Sequence, residues 1–329
     1  MSLEEKKKIF FHIGFPKTAS TLLQECLFSK HSQINYVSGP SVEVIKHNFM
    51  METRFKGSVW KMNDKEFNNS YNELLSKLNT IGSSLDSNKC NILSNEAILQ
   101  IFFYRKMEYD VFKGLSRLVS LFNKTSIDLN FFLLIRNQSD IIPSFYYQNN
   151  INKALKEHSI NANEIIKYFQ TGKNNNTEIS KIIFNNFNYG KLYDYLSSHL
   201  KPNKIKIFLY EDLQNNKDKF FSELSNYLEI EISETRKLLY NKKMNVTEDK
   251  LYYQGLYYLI YRNLKQPKNL FNNFFRKLNS FVKFLSVEGK NKGYKKIKQN
   301  SQLIKKYYRE DCLELEKKLH LGLDQFNYF

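Results

Sequence analysis

The most constraining feature is a junction near the start of the chain. Ile9 to Gly14 is an apolar run of strand length. Phe15-Pro16-Lys17-Thr18-Ala19-Ser20-Thr21 follows as a short, hydroxyl-rich turn. Leu22, Leu23, Cys26 and Leu27 then recur at helical spacing. A buried strand, a tight turn and a helix start place free backbone N–H groups, the positive end of a helix dipole and one lysine around a single point. That arrangement suits an anion. It is not a Walker A loop, because the second glycine is missing and Lys17 comes three residues after Gly14. It is not a GxGxxG fingerprint either, so the motif does not mark an ordinary NTPase or dehydrogenase. The competing reading is a capped helix whose Lys17 lies in solvent.

Cys90–Ser94, Leu129–Ile135 and Ile205–Leu209 repeat the first run's character. Continuous apolar strands, rather than alternating ones, suit a parallel sheet covered on both faces. Helical patterns fill the intervals: 64–81, with one apolar stripe from Phe67 to Leu78, then 97–122 and 217–228. The expected fold is α/β, a three-layer architecture with a central parallel sheet flanked by helices. No strand is expected beyond Leu209, and the final third is expected to be helix-rich. The best loop candidates are 173–177 and 288–293. No linker divides the chain, so 1–329 is read as one domain, with 9–213 as the α/β core and 214–329 mainly helical.

Hydrophobic residues make up 42% of the 329, enough for a sizeable core. No stretch reaches the length of a membrane-spanning helix. Three widely spaced cysteines with no CxxC pair argue against a disulfide framework or a zinc site, and fit a reducing, cytoplasmic setting. The formal charge of +17 points to an anionic partner without choosing one.

A second motif selects among these. The run Leu133-Leu134-Ile135 ends in Arg136-Asn137-Gln138, and Ser144 follows eight residues after the arginine. Arginine at the C-terminal end of a buried strand is where open α/β sheets bind ligands, and its guanidinium can grip phosphate through two hydrogen bonds. Together the two motifs resemble those of sulfotransferases that use 3′-phosphoadenosine 5′-phosphosulfate (PAPS) and release the 3′,5′-bisphosphate (PAP). The usual Arg-Asn-Pro becomes Arg-Asn-Gln here. Weaker echoes are Tyr210-Glu211-Asp212-Leu213, Met244-Asn245-Val246-Thr247 and the closing Tyr328. The resemblance implies a P-loop-like fold of bacterial type. It implies that Gly14, Pro16, Lys17, Thr18, Ala19, Ser20 and Thr21 hold the 5′-phosphosulfate, that Arg136 and Ser144 hold the 3′-phosphate, and that no metal is needed. Lys17 would stabilise the leaving phosphate during sulfuryl transfer to an acceptor hydroxyl.

The acceptor must lose a proton, so a general base is required. Glu96, after the strand 90–94, is the first candidate, the alternative being a first-turn helix carboxylate. Glu43 and the nearby His47 are the others. His12, inside the first strand, reads as a satisfied core histidine. The late loop Gly289–Gly293 could bring Lys290 and Lys292 to the 3′-phosphate, or be a solvated basic loop.

Residues 276–306 carry a net charge of +9. Just before and within them, Leu270, Phe271, Phe274, Phe275, Leu278, Phe281, Val282 and Leu285 share one helical face. A basic amphipathic helix can lie on an anionic membrane or pack against a core. The expected partner is a carbohydrate or lipid-linked glycan acceptor, with peripheral contact to the inner membrane through 270–298 and no nucleic acid. The rivals are a P-loop small-molecule kinase and a basic protein that binds nucleic acid or membrane.

Overall fold

The structure, a computed structural model, describes residues 7–15, 17–37, 59–60, 62–95, 111–147, 155, 158–242 and 292–329. Five strands form one sheet: β1 (Lys7–Gly14), β2 (Ile34–Tyr36), β3 (Cys90–Asn95), β4 (Ile127–Ile135) and β5 (Ile205–Leu209). Their order is β2-β3-β1-β4-β5, and every pairing is parallel. The expected strands are all present. β2 is additional: three residues, Ile34-Asn35-Tyr36, are too short for a periodicity to show, and the strand exists because it pairs with β3 at the sheet edge.

The side-chain alternation of the strands divides the core in two. Ile9, Phe11 and Ile13 face one side with Phe131, Leu133 and Ile135. Phe10, Phe132 and Leu134 face the other with Ile92 and Phe208. Helices cover both layers, as continuous apolar strands require. On the first side lie α2 (Asp64–Ser84), α3 (Val111–Phe122), α4 (Gln138–Tyr147), α5 (Ala162–Thr171), α6 (Thr177–Asn185) and α7 (Tyr189–His199). On the second lie α1 (Ser20–Leu22), which runs on as a π-helical turn over Leu23–Phe28, α9 (Lys217–Leu228) and α10 (Ile232–Leu239). α8 (Tyr210–Asn215) leads from β5 into α9.

Local chemistry sets the boundaries. Asn63 and Glu66 form a reciprocal capping box that starts α2. Gly114 lets α3 close on Trp60, where a Cβ would stand 2.2 Å from Cε3. Of the helix expected over 97–122, residues 111–122 are described and helical. The 270–285 stripe lies outside the described residues. Among the described residues beyond Leu209 there is no strand. Two helices close the chain: α11 (292–299) and α12 (Ser301–Leu319). Lys292 and Gly293 therefore begin a helix rather than continue the loop expected over 288–293. Gly293 is buried against Tyr146 instead of marking a turn. α12 buries Ile304, Tyr308, Cys312 and Leu315 as one stripe against the first core.

Candidate active site

Because all strands run parallel, their C-terminal ends share one edge of the sheet. β1 lies at the centre, with β3 on one side and β4 on the other, so the chain reverses direction of travel across the sheet beside Gly14. Such a switch point is where open α/β sheets bind ligands. Gly14, Phe15, residues 17–21, Asn95, Arg136 and Tyr210 all emerge there.

The turn after β1 is held by its own side chains. Thr18 is buried and its hydroxyl donates to the Phe15 carbonyl at 2.7 Å. Ser20, also buried, reaches the same oxygen at 3.4 Å. Lys17 and Ala19 take left-handed backbone conformations, φ 68° and 65°, while Thr18 between them does not. Backbone of alternating hand turns successive N–H groups toward one concavity, the form of an anion nest. Each non-glycine residue in that region costs roughly 1 kcal/mol. Ala19 caps α1 without any side-chain bond to the first-turn N–H groups. Lys17 and Thr21 are exposed. Pro16 lies outside the described residues. The turn thus differs from expectation in one respect: the Thr18 and Ser20 hydroxyl protons are directed at the protein's own backbone.

Arg136 joins this turn to β4. Its Nη1 donates to the Lys17 carbonyl at 3.2 Å, bringing together two motifs 119 residues apart. Its guanidinium lies over the Tyr210 ring, 4.6 Å from the centroid, a cation–π contact that fixes its plane. Ser144 is buried on α4, and its Oγ has no hydrogen-bond partner. A buried hydroxyl without a partner is costly and uncommon, and a ligand oxygen would relieve it. Pro143, inside α4, removes one backbone donor just before Ser144.

Bonds from distant parts of the chain set the Arg136 turn. Tyr189 Oη donates to the Arg136 carbonyl at 2.7 Å. Asn137 N–H donates to Glu211 Oε1 at 2.9 Å, and Tyr328 Oη donates to Glu211 Oε2 at 2.9 Å. Asn137 Nδ2 donates to the carbonyls of Phe326 and Asn327 at 3.0 and 2.9 Å. Burial raises the Glu211 carboxyl above its ordinary pKa, and the Asn137 and Tyr328 bonds hold it back. Gln138, standing where the resemblance has proline, is buried, and its Nε2 donates to the Phe187 carbonyl at 3.1 Å. The first turn of α4 tolerates either residue, since its N–H groups need no helical acceptor. Sequence reasoning marked the Tyr210–Leu213 turn and Tyr328 separately, and nothing in the pattern showed that they meet at Asn137.

The general-base candidates Glu96, Glu43 and His47, and Lys290 of the late loop, lie outside the described residues. Asn95, directly before Glu96, ends β3 and pairs with Ile13. Lys292 is exposed at the start of α11. His12 is buried on the second face, stacked on Phe132 at 4.8 Å. Its Nδ1 lies 2.8 Å from Ser94 Oγ, to which Gln24 Nε2 also donates at 2.9 Å. Its Nε2 has no partner, so the expected satisfied core histidine is satisfied at one nitrogen only. Burial drives its pKa down to about 3. Among the described residues, no group of three or more His, Cys, Asp or Glu could hold a metal ion, and no helix is long and apolar enough to cross a membrane.

A central parallel sheet with a tight turn and an arginine meeting at its switch point defines an α/β fold with one candidate anion site. The chain belongs to the sulfotransferase family: the family's model, a sulfotransferase domain, matches residues 7–254. It is therefore a transferase of sulfuryl groups. Two solved structures are similar. One is a sulfotransferase from Alicyclobacillus acidocaldarius, 13% identical, with a TM-score of 0.41 over 76% of this chain and 90% of that one. The other is the sulfotransferase domain from the curacin biosynthetic pathway, 14% identical, with a TM-score of 0.38 over 68% of this chain and 75% of that one. Neither is alike enough to carry a residue assignment. No curated protein sequence matches the chain significantly.

Proposed function

We propose that the chain transfers a sulfuryl group from PAPS to an acceptor hydroxyl. One observation carries this reading: Arg136 bonds to the backbone of Lys17, which joins the two motifs; the buried, partnerless hydroxyl of Ser144, eight residues on, agrees with it. The bound donor supplies a sulfur that the acceptor oxygen attacks in line, and the bond from sulfur to the bridging oxygen of the 5′-phosphate breaks with its electron pair left on the phosphate. The turn over residues 14–21 binds the 5′ end through its backbone. Lys17 meets the charge that builds on the leaving oxygen, the kind of electrostatic stabilisation that commonly dominates such sites. Arg136 and Ser144 hold the 3′-phosphate. The acceptor proton goes to a base, with Glu96 the first candidate and Glu43 or His47 the others.

The acceptor in this reading is a carbohydrate or glycolipid hydroxyl, which rests on the resemblance to bacterial members. A cytoplasmic protein with peripheral membrane contact through 270–298 would suit a lipid-linked acceptor. The free state of Cys26, Cys90 and Cys312 supports a reducing setting.

Calorimetric titration with PAP, beside ATP–Mg²⁺, tests the donor. Metal-free binding of PAP that disappears in a Lys17→Ala, Arg136→Ala double variant is the expected result. A preference for ATP–Mg²⁺ would replace the reading with a kinase. Binding indifferent to PAP but steeply salt-dependent would replace it with a basic binding protein.

A further inference from the structure

Of the cations that crowd the C-terminal third, Lys298 is placed differently from the rest. It lies on α11, which crosses α4 closely: a Cβ on Gly293 would stand 2.5 Å from Tyr146 Cε1, and Tyr294 meets Tyr147 edge-on at 6.3 Å. Lys298 reaches over to form an ion pair with Asp140. Asp140 is in the first turn of α4, four residues after Arg136 and four before Ser144. Spacing by four stacks side chains on one helix face, so Asp140 and Ser144 stand one turn apart on α4, and Arg136 lies just before the helix start.

The charge balance around Asp140 is lopsided. Burial, then repulsion from Arg136 and Lys305, lowers the pKa of Lys298. Arg136, Lys298 and Lys305 thus repel one another here, with Asp140 paired to Lys298 and the buried Glu211 facing Arg136. The Lys298 and Asp140 side chains are 43% and 36% exposed, and a pair that wet is weak enough to exchange. A phosphate offers more negative charge and more acceptor oxygens than Asp140 does.

We propose that Lys298 is a specificity-determining residue of the donor site, a cation that exchanges Asp140 for the 3′-phosphate beside Arg136 and Ser144. The inference rests on the PAPS reading above. Asp140 acts as an internal stand-in for the phosphate. It keeps Lys298 near Arg136 in the free protein and competes with the ligand for it. A nucleotide without the 3′-phosphate leaves the Lys298–Asp140 pair in place and gains nothing from it.

The test is calorimetric titration with PAP and with adenosine 5′-phosphate. Lys298→Met should weaken PAP about tenfold and leave adenosine 5′-phosphate within about twofold, while Lys298→Arg retains the preference. Asp140→Asn should tighten PAP about threefold when Lys298 is present and have no effect in the Lys298→Met background. Far-UV circular dichroism checks that each variant is folded. If wild type does not bind PAP, the donor reading fails and takes this inference with it. If wild type prefers PAP and Lys298→Met keeps that preference, or weakens both nucleotides alike, the inference alone is overturned. The same Asp140→Asn shift in both backgrounds overturns it as well.

Discussion

The two halves of the candidate site are built in opposite ways. The turn after β1 is fixed by neighbours in sequence: Thr18 and Ser20 bond to Phe15, three and five residues away. The turn after β4 is fixed by strangers. Asn137 is held by Glu211, Phe326 and Asn327, separated from it by 74, 189 and 190 residues. The first half carries backbone strain at Lys17 and Ala19. The second carries a buried carboxylate and its partners. A locally determined turn holds its shape whenever β1 and α1 form. A turn determined at a distance holds its shape only when the whole domain is assembled.

The largest expected effect separates the two halves by kinetics. Lys17→Ala should lower kcat about 10²–10³-fold, because its charge matters most as the leaving oxygen develops. Arg136→Ala should chiefly raise the donor KM, and steady-state kinetics on both variants would show the split. If both variants change the same constant, the division of labour is wrong.

The acid dependence of β1 comes next. Folded His12 titrates at about 3 and the unfolded residue near 6.5, so the unfolded chain binds the extra proton. The His12 contribution to stability is whole above pH 6.5 and is lost as pH falls toward 3, at up to about 1.4 kcal/mol per pH unit. His12→Phe should flatten that acid limb, as read from urea midpoints between pH 7 and 4.

A smaller effect of opposite sign is expected on the distant half. Tyr328→Phe leaves Glu211 Oε2 without its donor and should cost roughly 1–2 kcal/mol. The missing bond lets the Glu211 pKa rise further, so the deficit should widen as pH climbs above the ordinary glutamate range. A deficit constant between pH 5 and 8 would mean that Glu211 does not feel Tyr328.

The smallest effect returns to the local turn. Ala19→Gly relieves a left-handed conformation and should change stability by less than about 1 kcal/mol, toward greater stability. A destabilised variant would show that the alanine side chain's packing outweighs the strain.

This contrast also explains what could be read in advance. The sheet was legible because β1, β3, β4 and β5 are apolar runs buried on both faces; β2 was not, being three residues at an edge. The 14–21 turn and Arg136 with Ser144 were legible because each lies within one short stretch of chain. The clasp on Asn137 was invisible, since no periodicity in 323–328 points to residue 137. Lys298 likewise counted only as one basic residue among ten until α11 was seen crossing α4. Gln138 stood out as a departure, and its bonds to Phe187 and Cys312 needed the folded chain to appear.

The clasp has a consequence for synthesis. A ribosome makes Arg136 long before it makes Phe326 and Asn327, and at ordinary elongation rates the interval is about 10–40 s. Through that interval the nascent chain can pair β1 with β4 and close the first turn. The turn at Arg136 and Asn137 still waits for residues not yet translated. A chain cut short before 326 would keep its sheet and leave the Asn137 turn unclasped, so the closed turn reports that translation has passed that point.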